Sequence, residues 1–176
     1  MRLFIGSFLD KDIIEKIPIE NIQKLFEGNL KNIKKENIHM TWVFLGNVGE
    51  VCKPHLREII DKHINIFKGL IFKSEDLCFW PPTKLPRLIV IKGNLNKEIN
   101  LSSLVIDLKQ ITSTDTKKDF LPHITVCRFK KDKTINKKIE LPKMEDFTWH
   151  IKEVSLIQST LLSEGPRYEK LKQWVL

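Results

Sequence analysis

Cysteine is scarce in this chain and never paired. Cys52, Cys78 and Cys127 are odd in number, widely spaced and free of any C-x-x-C arrangement. That excludes a disulfide framework and a cysteine-built zinc site, and it suits a reducing interior. Long apolar runs are missing too. The opening Arg2-Leu3-Phe4-Ile5-Gly6-Ser7-Phe8-Leu9 is cut short by Asp10-Lys11-Asp12. It is too brief for a secretory signal core and far too brief to span a bilayer, so no membrane and a cytoplasmic location are expected. No Pro-, Gly- or Ser-rich linker divides the chain. Residues 1–176 are therefore expected to form one domain with two lobes.

What is present is enough for a buried core. Hydrophobic residues make up 41% and aromatics 9% of the 176 residues, which excludes wholesale disorder. Thirty Lys and Arg against 22 Asp and Glu leave a net charge of +8. Such a surface favours polyanionic partners, nucleic acid first among them. The same excess, in a chain rich in Lys, Ile and Asn, reads equally as the bias of an AT-rich genome.

Apolar spacing predicts a strand over Leu3–Phe8 and a helix from Lys11, capped by Asp10, with Ile13, Ile14 and Ile17 on one side. Pro18 breaks it, and a second helical piece runs from Ile19 to Phe26. Ile38–Leu45 reads as a strand ended by Gly46-Asn47, and Lys53–Ile64 as a helix with Pro54 in its first turn. Strands follow over Leu70–Phe79 and Leu88–Ile91, the latter stopped by Gly93. Ile99–Ile111 is an amphipathic helix. His123–Phe129 and Val154–Leu161 are strands, and Gly165-Pro166 marks a turn before a closing segment over Tyr168–Leu176. Half-polar strands suit antiparallel sheets with helices on one face, an α+β class.

Within this order one pattern recurs. His39-Met40-Thr41 and His123-Ile124-Thr125 each sit in an apolar strand, at an interval of 84 residues from His39 to His123 and from Thr41 to Thr125. In a strand, residues i and i+2 share a face, so each tripeptide aims an imidazole and a hydroxyl at one spot. Near neutral pH one histidine can accept a proton while a partner donates one. Two of them flanking a phosphorus suit in-line hydrolysis of a phosphodiester, with threonine hydroxyls donating to the non-bridging oxygens. The scheme needs no metal and no cofactor, and neither carboxylate clusters nor H-E-x-x-H lie beside these strands.

The flanks extend the pattern. Ile38 to Gly46 and Phe120 to Arg128 resemble the two signatures of the 2H phosphoesterases, and most of all those of the RNA 2′,3′-cyclic phosphodiesterases, also called 2′-5′ RNA ligases. Pro86 to Val90, Ser159 to Leu161 and Gly165 to Tyr168 match later landmarks, and the opening Met1 to Ile5 also fits, so the resemblance spans the chain. It implies a bilobed, pseudo-two-fold α+β fold: two antiparallel sheets facing a central cleft, with helices outside. It implies opening of RNA 2′,3′-cyclic phosphate ends to 2′-phosphates. His39 would be the proton donor to O3′, His123 the acceptor that activates water, and Thr41, Thr125 and Arg128 the phosphate contacts. Implied partners are such RNA ends, tRNA fragments included, or cyclic nucleotides, bound by a monomer. The alternatives are 2′-5′ RNA ligation by the same residues and a non-catalytic RNA-end or nucleotide-binding module.

Strict alternation puts Arg128 on the face opposite His123 and Thr125, so it needs a bulge, a strand end or its long reach to enter the cleft. Trp80 and Tyr168 could stack on a base; core packing is the better reading for Trp80, whereas Tyr168 is carried as a substrate contact. Cys127 reads as a buried thiol. His55 and His63 fall among surface positions, and His150 has no partner in view. Lys117, Lys118 and the five lysines of Lys130–Lys138 read as solvated loops able to guide an RNA backbone.

Overall fold

The computed structural model describes residues 1–31, 33–82, 85–112, 120–131, 135, 138–162 and 165–176. Its strands are β1 (Arg2–Phe8), β2 (His39–Asn47), β3 (Ile71–Trp80), β4 (Leu88–Leu95), β5 (His123–Arg128), β6 (Thr148–His150), β7 (Glu153–Leu162) and β8 (Gly165–Val175). They form one antiparallel sheet in the order β6-β3-β4-β5-β2-β1-β7-β8. The helices are α1 (Lys11–Ile14), α2 (Ile19–Leu25), α3 (Lys53–His63) and α4 (Ser102–Lys109).

The α+β class and the antiparallel organisation are as expected, but the two sheets are joined into one. Four strands lie on each side of a junction where Met40 of β2 faces Ile124 of β5. Both residues are fully buried, and this apolar pair splices the halves into a continuous ladder. One face of the sheet carries Leu3, Ile5, Met40, Trp42, Ile89, Ile91, Ile124 and Val154 into a single core. Apolar residues of all four helices close that core: Ile13 and Ile14, Ile19 and Ile22, Leu56 and Ile60, Leu104 and Leu108. The other face, termed the cleft face, carries His39, Thr41, His123 and Thr125.

Several boundaries differ from the expectation. Gly93 does not stop β4, which runs on to Leu95. The glycine sits opposite Ser74 in the ladder, where an added Cβ would lie 2.2 Å from the Lys73 carbonyl and 2.4 Å from the Phe72 ring. It permits close packing rather than a break. Helix α4 is shorter than its apolar spacing, because Asn100 Oδ1 accepts the Ser102 N–H at 2.9 Å and starts it there. Gly165 and Pro166 belong to β8, paired with Leu162 and Leu161. The short β6 lacks enough residues to show an alternation and is held by its pairing with β3.

Two register shifts decide which residues reach the cleft. Between β1 and β2, Ile5 faces Val43 but Gly6 faces Thr41, so Trp42 is an additional residue. Between β4 and β5, Ile89 faces Cys127 but Val90 faces Thr125, so Val126 is additional. Each bulge directly follows the threonine of a His-x-Thr, and each reverses the alternation beyond it. The Trp42 bulge is fixed by a relay. Its indole N–H donates to Ser7 Oγ at 2.8 Å, and that hydroxyl donates to the Glu153 carbonyl at 2.6 Å. Three strands are thereby tied behind the first motif.

Ser7→Ala leaves a buried indole N–H without its acceptor, so a loss of about 1–3 kcal/mol is expected in urea unfolding. A loss below about 0.5 kcal/mol, as at an unconstrained surface site, would show that the relay does not hold the bulge.

Candidate active site

His39 and His123 are the first residues of β2 and β5. Each ring is oriented by the backbone carbonyl two residues earlier. His39 Nδ1 lies 2.6 Å from Asn37 O, and His123 Nδ1 lies 2.7 Å from Leu121 O. A carbonyl only accepts, so Nδ1 carries the proton and donates in both cases. Nε2 is thereby left to face a ligand. Asn37 is itself held, because its side-chain amide donates to Pro166 O at 2.9 Å and fixes the start of β2 against β8.

The junction arranges the four motif side chains. With Met40 opposite Ile124, antiparallel register sets His39 beside Thr125 and Thr41 beside His123 on one face. The two histidines are then diagonal neighbours across the junction, roughly 7–8 Å apart, which leaves room for one phosphate between the imidazoles. All four residues are half-buried.

The two histidines differ in their surroundings. His39 is walled by aromatic rings, with centroids 4.9 Å away for Phe4, 5.1 Å for Tyr168 and 5.7 Å for Phe8. Burial there holds its pKa below the ordinary histidine value; the Asn37 hydrogen bond opposes this, and the charge of His123 adds to it. His123 stacks nearly parallel on Trp80, with centroids 5.7 Å apart and planes 14° apart. Lys92, its ladder neighbour, reaches within 5.9 Å of the same indole. Trp80 is thus a wall of the cleft and not core packing. The face that Trp80 takes is set by the register of β3 with β4, which the local sequence does not carry.

Arg128 enters the cleft face by the bulge at Val126. The same reversal sends Cys127 into the core, where burial pushes its thiol pKa up to about 12. Tyr168 of β8 packs against Phe4, Phe8 and His39. Burial raises its pKa, and the charges of Arg128 and Arg2 oppose that shift. Phe44 occupies in β2 the position that Arg128 holds in β5, three residues past the threonine, and it is 62% exposed. Strict alternation from Thr41 would turn Phe44 into the core, and the bulge at Trp42 turns it outward.

The remaining candidates lie elsewhere. His55 and His150 are exposed. His63 is half-buried instead of at the surface: its Nε2 lies 2.8 Å from Asp107 Oδ2, which joins α3 to α4. Lys117, Lys118 and most of the Lys130–Lys138 segment fall outside the described residues. Among the described residues no group of three His, Cys, Asp or Glu could hold a metal ion, and no helix is long and apolar enough to cross a membrane.

No family model matches the chain. Curated relatives do. The chain is 33% identical to the RNA 2′,3′-cyclic phosphodiesterase of Aquifex aeolicus, over all of its own length and 97% of that protein. The chain belongs to the RNA 2′,3′-cyclic phosphodiesterase family. The phosphodiesterase of Archaeoglobus fulgidus is 30% identical, with 98% of each chain covered. Among solved structures, TT0787 of Thermus thermophilus superposes with a TM-score of 0.71 at 19% identity, covering 100% of this chain and 98% of that one. Escherichia coli LigT complexed with 3′-AMP gives 0.67 at 20%, covering 99% and 97%. Both chains share the fold.

The lowered pKa of His39 has a consequence for stability. Between that lowered value and the ordinary value of about 6.5, the unfolded chain holds a proton that the folded chain lacks, so acidification through this window costs stability. Urea midpoints measured from pH 7.5 downward should fall less steeply in His39→Asn than in the native chain. Equal slopes would contradict the assignment.

Proposed function

We propose that this protein hydrolyses RNA 2′,3′-cyclic phosphate ends to 2′-phosphomonoesters, without metal or cofactor, by acid–base catalysis between His39 and His123. The observation that carries the proposal is the matched pair of Nδ1–carbonyl bonds, which leaves Nε2 of each ring free for a ligand. Membership of the phosphodiesterase family supports the substrate class.

In this reading water attacks phosphorus as the bond to O3′ breaks. His123 takes the proton of the incoming water, and His39 delivers a proton to the departing O3′. The difference in enclosure suits these roles. The His123 hydrogen bond lies on the exposed side, where water arrives, whereas His39 is shut in by three rings. The bound phosphodiester supplies the negative charge that draws the His39 pKa back up, so substrate binding itself protonates the donor. Thr41 and Thr125 donate to the non-bridging oxygens as charge builds there. Arg128 contributes a guanidinium fork on the same face, and Tyr168 borders the substrate beside His39.

RNA ending in a 2′,3′-cyclic phosphate, incubated in EDTA, should yield a 2′-phosphate end. His39→Ala and His123→Ala should each cost roughly 10²–10⁴-fold, and the native pH–rate profile should be bell-shaped. Loss of product in EDTA, or full turnover in both variants, would overturn the proposal.

A further inference from the structure

The cleft face continues past the two motifs to the far end of the sheet. There Asn47, Arg2, Ser159 and Tyr168 are successive ladder partners on β2, β1, β7 and β8. Directly paired residues project from the same face, so these four make a polar row across the strands. A cavity of about 560 Å³ opens at this row, lined by Arg2, Asn47, Gln158, Ser159 and Thr160 among others. That volume lies in the range of small-ligand sites. Its lining offers amides, hydroxyls and one guanidinium, and no carboxylate.

Arg2 connects this cavity to the catalytic centre. It lines the cavity, and its charge lowers the Tyr168 pKa, as that of Arg128 does. The Tyr168 ring in turn lies 5.1 Å from that of His39. Tyr168, paired with Ser159 in the ladder, therefore bridges the polar row and the imidazole of His39. Among the described residues no carboxylate pairs with Arg2, which leaves its fork for an anion.

We propose that the cavity at Arg2, Asn47 and Ser159 is a subsite for the nucleotide preceding the terminal one. Arg2 holds the internucleotide phosphodiester, while Asn47 and Ser159 bond the ribose or base. The inference rests on the RNA-end reading above and narrows its substrate: the protein takes the end of a chain of at least two nucleotides in preference to a free cyclic mononucleotide.

The test compares an RNA trinucleotide ending in a 2′,3′-cyclic phosphate with 2′,3′-cyclic AMP. The native protein should show the lower KM for the trinucleotide. Arg2→Ala should raise that KM roughly tenfold, the cost of one charge-assisted contact, and Asn47→Ala should raise it less. Neither should alter turnover of 2′,3′-cyclic AMP. Trinucleotide KM values within twofold of native in both variants, or equal losses on the two substrates, would overturn the subsite. Hydrolysis of neither substrate by the native protein would instead sink the RNA-end reading. Binding then decides the subsite by itself, using a trinucleotide with a 3′-phosphate against 3′-AMP. Arg2→Ala should weaken only the trinucleotide and lower its salt slope by about one; unchanged trinucleotide affinity would contradict the proposal.

Discussion

Where β2 meets β5, Met40 packs against Ile124, both without measurable exposure, and the geometry of the cleft follows from that contact. The pairing joins two four-stranded halves back to back. Because it falls on the middle residue of each His-x-Thr, the flanking histidines and threonines interleave on the opposite face. A slip of one residue would turn all four into the core. The apolar junction and the polar site are thus two faces of the same six residues.

The near-symmetry of the halves extends to small devices. Each histidine is locked by the carbonyl two residues before it, and each threonine is followed by a bulge. Where the halves depart from one another, the chemistry can divide. The ring cage around His39 excludes water on one side, and the single indole beside His123 leaves the other side open. Past the bulges, one half presents the exposed ring of Phe44 and the other the charge of Arg128. Such a pair of unlike surfaces around like centres suits an unsymmetrical ligand bound to a duplicated scaffold.

Much of this was legible in the sequence, and the reasons it stopped are physical. The parity of His39 with Thr41, and of His123 with Thr125, is a local property of extended chain, so the motif face could be read directly. So could the helices with strong apolar spacing, as Leu56 and Ile60 in α3 illustrate. The bulges could not be read, because Trp42 and Val126 are extra only relative to partners in β1 and β4. Arg128 therefore seemed to face the wrong way. Gly93 looked like a stop, although its role is to let β4 approach Phe72. The merging of the two sheets and the stacking of Trp80 on His123 are contacts between distant segments. No window of sequence contains them.

The central claim is that both imidazoles present Nε2 to one phosphate because Nδ1 is held by a backbone carbonyl. Long-range proton–nitrogen NMR of the histidine rings tests it most directly, read first in the free protein above the histidine titration range and again with phosphate added. The account predicts the Nδ1–H tautomer for both His39 and His123 in the free protein, and a shift at Nε2 of both rings when phosphate binds. An Nε2–H tautomer in either ring, or a response confined to one of them, would contradict it.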